Sequence, residues 1–360
     1  MDGDAVLLAL LAAALGAVLG FVARRTQLCT LGAIADAALC GDDRRARGLV
    51  LAMAVAVLGT QALAAFGLID LERSIYLAAG FGWFGAVLGG LAFGFGMALV
   101  GTCGFGVLVR LGSGDLKALV AFLTLGIVAY ATISGPLAYL REGVIEVADL
   151  SLPTAPGLVE VTAGWLDVDA AGLRLLLAVA VAAPMLFYAL RTTAAPARRA
   201  DRIAGLVVGV VIVLGWLVTG TAGQDEFEPK PLQSFSFVRP LGDTILYTML
   251  ASALPLGFGI ASVIGVVAGS ALAGSTRRMR REAFDGVREL RRHLLGAALM
   301  GFGGVVALGC TIGQGISGMS TLALSAPLAL GGIVVGAVTG LRYLETGSLL
   351  GAARALVGRE

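Results

Sequence analysis

The sequence predicts an all-α polytopic membrane protein with two pseudo-symmetric inverted halves, whose re-entrant or broken helices meet near the midplane. Three observations lead there. Of 360 residues, 58% are hydrophobic and 14% charged, with a mean hydropathy of +0.92, whereas a soluble domain carries about 25% charged residues. Glycine takes 53 positions, roughly twice its usual share of about 7%, which suits helices that pack closely or break. Finally, the glycine-rich stretch 94–106 recurs at 301–313. Without gaps, the Gly-Phe-Gly triplets coincide, Cys103 falls on Cys310, and Gly106 falls on Gly313.

At about 20 residues per crossing the length suits roughly nine to eleven spans. Residues 5–22 form the first; Asp2 and Asp4 replace the basic start of a cleavable signal, so the segment is expected to be retained. After Arg24, Arg25, Thr26 and Gln27, residues 28–40 are apolar but too few to cross, which suggests a re-entrant or interfacial helix. Residues 49–68 form a span, and residues 75–100 a long one running into Cys103. The next span is 116–133, stopped by Ser134, Gly135 and Pro136. Residues 141–170 read as a polar, acidic connection. Residues 173–190 cross with Pro184 inside, tolerated where neighbours re-satisfy the backbone.

The basic linker 191–202 separates an N-terminal half, 1–190, from a C-terminal half, 203–360, within one transport domain. Residues 203–219 form the next span and 221–240 a polar loop. Pro255, Gly257 and Gly259 divide the stretch 244–273 into two helices. Residues 276–292 hold seven arginines, residues 294–308 lead to Cys310, residues 322–338 cross, and residues 348–357 form a short apolar tail. Basic loops face the cytoplasm, so Arg44–Arg47, Arg191–Arg202 and Arg277–Arg292 lie inside, while 141–170 and 221–230 lie outside. The helix before Cys103 then heads inward and the helix before Cys310 heads outward. Opposite polarity of this kind belongs to transporters with a site near the midplane.

A helix that stops at Gly101 or Gly309, turns on glycine and resumes leaves unpaired N–H donors at its new start. The helix dipole adds positive potential there, which favours an anion. Gly104 and Gly313 keep the wall bare, and the thiol of Cys103 or Cys310 sits at the same place. Cys29, between a break and a short apolar helix, is a third station. A neutral thiol is a weak donor that could pass an anion onward without trapping it. Gln314 and Gln27 are candidate donors to an oxyanion, and cysteine is also an ordinary small hydrophobe of apolar interiors. Cys40, beside Gly41, reads as passive. With no Cys-x-x-Cys pair and a lone His293, no metal or cofactor is expected, and nothing suggests nucleic-acid binding. No Asp, Glu or Lys inside a span stands out as a coupling group; Asp36 and Lys117 lie near span ends.

The segments Leu28-Cys29-Thr30-Leu31-Gly32, Gly101-Thr102-Cys103-Gly104 and Gly309-Cys310-Thr311-Ile312-Gly313, with residues 233–242, resemble the YeeE/YedE sulphur-transport family over almost the whole chain. The resemblance implies a multi-pass protein of a bacterial inner membrane. It implies uptake of thiosulfate or a related reduced sulfur oxyanion along Cys29, Cys103 and Cys310, without enzymatic chemistry. It also implies a possible cytoplasmic sulfur-carrier partner of the TusA type. Two readings compete: a permease for another sulfur or selenium anion, and a membrane thiol–disulfide oxidoreductase, which would want cysteines close together or water-exposed.

Overall fold

The computed structural model describes residues 3–78, 80–145, 149–150, 154–166, 170–191, 199–221, 231–274, 284–348 and 351. Arg277, Arg278, Arg280 and Arg281, most of the 191–202 linker and most of the 348–357 tail lie outside the described residues. Among those described, no strand forms, and isolated bridges are the only extended pairings.

The first third holds α1 (Gly3–Thr26), α2 (Thr30–Leu39), α3 (Arg44–Ala65), α4 (Ile75–Ala78), α5 (Trp83–Val100) and α6 (Gly104–Leu111). The expected single span 75–100 is thus divided. Its membrane helix starts only at Trp83, because Phe81 leaves the helix to exchange backbone hydrogen bonds with Leu150 at 3.0 and 3.1 Å. Next come α7 (Leu116–Ser134), α8 (Pro136–Leu140), α9 (Leu158–Leu166) and α10 (Ala170–Leu190). Residues 141–170 are therefore more than a polar connection. They contain α9, whose Val159 is fully buried, and a part-buried Arg174–Glu160 ion pair of 3.0 Å ties α9 to α10.

The remainder holds α11 (Arg199–Thr221), α12 (Arg239–Leu250), α13 (Phe258–Gly274), α14 (Val287–Val306) and α15 (Ser325–Thr346). The break between α12 and α13 falls at Pro255 and Gly257, as their chemistry demands. Among the described residues, seven helical stretches are long and apolar enough to cross a membrane. The shortfall from nine to eleven lies in α13, with 17 residues, and α14, whose first turns carry Arg288, Glu289, Arg291 and Arg292. Exposed apolar side chains such as Leu10, Leu176 and Phe187 suit contact with lipid rather than water.

Glycine contacts set the helix directions. On α5 and α14, a Cβ at Gly89 would meet Gly303 O at 2.6 Å and one at Gly96 would clash with Gly296 O. The numbering rises on one helix as it falls on the other, so the pair is antiparallel and in backbone contact. By the same criterion α1 runs parallel to α13, through Gly16 on Ser262 and Gly20 on Val266. Likewise α3 runs parallel to α11, through Gly48 on Asp201 and Gly59 on Val213, and α5 parallel to α15, through Gly90 on Ala329 and Gly94 on Ile333. Lys117 meets Glu289 at 2.8 Å and Gly301 packs on Leu125, which makes α7 parallel to α14. Small residues permit these close approaches where lipid offers helices no hydrophobic drive to associate. Trp216, Phe93, Phe235, Phe237 and Phe258 fill the interior between them.

Candidate functional site

Three helices end on a left-handed residue placed two positions before a cysteine. Gln27 comes after α1 with φ 56°, Gly101 after α5 with φ 81°, and Leu308 after α14 with φ 57°. Glycine enters this region freely, whereas a residue with a Cβ is disfavoured by roughly 1–2 kcal/mol. Closing hydrogen bonds offset that cost. Leu28 N–H reaches Ala23 O at 3.0 Å and Gly309 N–H reaches Gly304 O at 2.8 Å, the bond that seals a helix end over a left-handed residue. The second stop is accordingly Leu308, not the expected Gly309.

Each cysteine then caps the turn that begins after it. Gly32 N–H donates to Cys29 Sγ, Gly106 N–H to Cys103 Sγ, and Gly313 N–H to Cys310 Sγ, all at 3.4 Å. Cys29 and Cys103 are extended N-caps of α2 and α6. Cys310 opens instead into a π-helical turn, Gly313–Gly318, where a short α-helix was expected. Its carbonyl accepts from Gln314 N–H at 2.7 Å and more weakly from Gly315 N–H at 3.4 Å, which widens the turn. One N–H at each start is thus taken by the thiol rather than left for a ligand. The sulfur serves as acceptor, and the S–H remains available to donate.

The three caps converge. Thr30 Oγ1, next to Cys29, lies 3.4 Å from Thr311 Oγ1, next to Cys310. Cys103 has the Cys29 thiol, the Thr311 side chain and the Cys310 thiol as interaction partners. Cys103 and Cys310 are 1% and 0% exposed, while Cys29 is half-buried. Cys40 is exposed at the end of α2 and stands apart from them.

The flanking residues have specific tasks. A Cβ at Gly309 would sit 2.9 Å from Gln314 N, and one at Gly104 3.0 Å from Phe237 O, whereas nothing lies within 4 Å of one at Gly101. Gln314 Nε2 donates to Ala307 O at 2.6 Å, so this amide fastens the end of α14. Gln27 contributes the left-handed turn before Cys29. The loop 231–238, marked in the sequence only by resemblance, packs on two of the caps. Ser317 Oγ donates to Phe235 O at 2.8 Å, the Phe105 and Phe237 rings are 5.1 Å apart, and the Phe237 backbone neighbours Cys310. One signal for all three stations was present in the sequence, a Cys-x-x-Gly pattern at 29–32, 103–106 and 310–313 that Cys40 lacks.

A cavity of about 540 Å³ leads toward Cys310, lined among others by Tyr76, Arg141, Ser236, Arg239, Leu308 and Gly309. It lies at the far ends of α7 and α14, away from the Lys117–Glu289 pair that joins their starts. Arg141 pairs with Glu142 at 3.0 Å and Arg239 with Asp243 at 3.6 Å. A larger open depression of about 800 Å³ beside Asp70, Glu72 and Arg174 is lined by none of the cysteine turns, so its size does not make it the better candidate.

A family model described as sulphur transport matches residues 25–339. The thiosulfate transporter TsuA of Escherichia coli (strain K12) is 27% identical over 317 residues, 84% of this chain and 84% of that protein. The thiosulfate transporter TsuA of Spirochaeta thermophila is 27% identical over 321 residues, 87% of this chain and 92% of that protein. The match takes in all three capped turns and every long helix from α3 to α14, so this multi-pass membrane chain belongs to the sulphur transport family.

Proposed function

We propose that the protein takes up thiosulfate, handing it from Cys310 to Cys103 and then to Cys29. The convergence of three thiol-capped turns carries this reading, and the names of both relatives support the substrate. The cavity reaches Gly309, the residue before Cys310, and Cys29 is the half-buried one of the three, which supports the order. Each thiol offers a neutral S–H to a polarizable anion. Such a contact is strong enough to admit the ion and weak enough to release it. The antiparallel course of α5 and α14 supports an inverted relation between halves. So does the pairing scheme: exchanging α1 with α11, α3 with α13, α5 with α14 and α7 with α15 maps each parallel pair onto another. On this reading transport involves no bond-making, the membrane is a bacterial inner membrane, and a TusA-like carrier could collect sulfur at the Cys29 end.

The test is uptake of ³⁵S-thiosulfate by proteoliposomes containing the wild type or Cys29→Ala, Cys103→Ala and Cys310→Ala. Uptake is expected to fall at least tenfold in each variant while elution profiles stay monodisperse. Normal uptake in all three would refute the relay. Equal competition by sulfate, which lacks the terminal sulfur, would make the site a plain anion path.

A further inference from the structure

The cavity stops short of Cys310, and a pair of hydroxyl groups closes it. Tyr76, on α4, lines the cavity yet is only 4% exposed. Its hydroxyl donates to Gly313 O at 2.9 Å, on the residue whose N–H is capped by Cys310 Sγ. Ser236 reaches the same point from the 231–238 loop. A Cβ placed on Gly313 would lie 2.6 Å from Ser236 Oγ and 3.5 Å from the Tyr76 hydroxyl oxygen. Gly313 must therefore lack a side chain for the two hydroxyls to meet over it. The Tyr76 ring is held edge-on to Trp216, centroids 6.2 Å apart, and Trp216 Nε1 is fixed on Ser320 Oγ at 3.0 Å. The ring is anchored while the hydroxyl hydrogen can turn.

We infer that the Tyr76 and Ser236 hydroxyls form the orienting neck of the path, where an arriving sulfur oxyanion replaces the Gly313 carbonyl as the partner of Tyr76. Two neutral O–H donors prefer the oxygen atoms of the anion and leave its terminal sulfur to meet the Cys310 thiol. Arg141 and Arg239 draw anions into the cavity, but each already faces a carboxylate and neither lies at the closure. Orientation thus falls to the hydroxyls, which bind weakly enough to release.

The inference rests on the uptake reading, and the experiment separates the two. Full-length wild type, Tyr76→Phe and Ser236→Ala are reconstituted, and initial rates of ³⁵S-thiosulfate uptake are measured against concentration, with and without sulfate. Phenylalanine keeps the ring on Trp216, and alanine removes one atom from a crowded point. Each variant is expected to raise KM about tenfold, the loss of one hydrogen bond to a charged group, with the maximal rate within about twofold. The concentration of sulfate needed to compete is expected to rise by a similar factor, because its oxygens would meet the same hydroxyls. Wild-type uptake with unchanged KM in both variants, or a lowered maximal rate at constant KM, overturns this inference alone. No thiosulfate uptake by the wild type overturns the transport reading and the neck with it.

Discussion

Substituting Gly96 by alanine tests the seam between α5 and α14. The added Cβ would clash with Gly296 O and lie 3.0 Å from Met300 Cγ, where ordinary contact begins at 3.4 Å. The backbone oxygen cannot turn aside, so the helices must separate by about 1 Å, a gap that forfeits a quarter to a half of each contact across it. Overpacking of this kind costs about 1–3 kcal/mol. Alanine also gains about 1 kcal/mol over glycine in helix propensity, which hides part of the loss. Gly331→Ala on α15 removes that ambiguity, because nothing lies within 4 Å of its Cβ and it gains the same propensity. The difference between the two variants isolates the steric cost. In a detergent-solubilised thermal melt, Gly96→Ala is expected to unfold roughly 2–6 °C below Gly331→Ala, with reduced uptake because both cysteine turns ride on the displaced helices. Equal or higher stability of Gly96→Ala would refute the backbone-contact seam.

At Gly101, φ 81° with open space around the Cβ makes alanine a pure test of backbone strain, expected to cost about 1 kcal/mol in the same melt. Trp216→Phe removes the 3.0 Å hydrogen bond to buried Ser320 Oγ and is expected to lower stability by about 1–3 kcal/mol. Cys103→Ser, with a hydroxyl that caps as well as or better than the thiol, is expected to match or exceed the wild type in the melt. If the relay holds, its uptake is nonetheless altered, and a serine variant equal to the wild type in both measurements would make Cys103 a cap alone.

The helices were legible wherever hydropathy and breakers agreed. Pro255 with Gly257 divided α12 from α13, and Pro184 sat harmlessly inside α10. Legibility failed where tertiary contacts decided. Phe81 breaks the stretch 75–100 because Leu150, about seventy residues away, takes its backbone bonds. The helix α9 hides among acidic residues because Val159 is buried against other elements. The cysteine stations were visible through glycine, which made Gly309 look like the stop. Left-handed Leu308 and Gln27 carry no glycine to announce them, and only the helix-closing hydrogen bonds account for their conformation. Tyr76 left no local trace, and Ser236 was marked only by its place in the 233–242 segment. Their juxtaposition over Gly313 is a property of three chain segments brought together.

Residues 29, 103 and 310 answer to two masters. The lone pair of each sulfur settles where a helical turn begins, and under the proposed relay its hydrogen faces whatever passes. A substitution there is judged once by the folding chain and again by the cargo. Under the proposed relay alanine is expected to fail the first trial mildly and the second outright, whereas serine is expected to pass the first and be judged only on the second. The tolerance of these positions for mutation is therefore narrower than either duty would impose by itself.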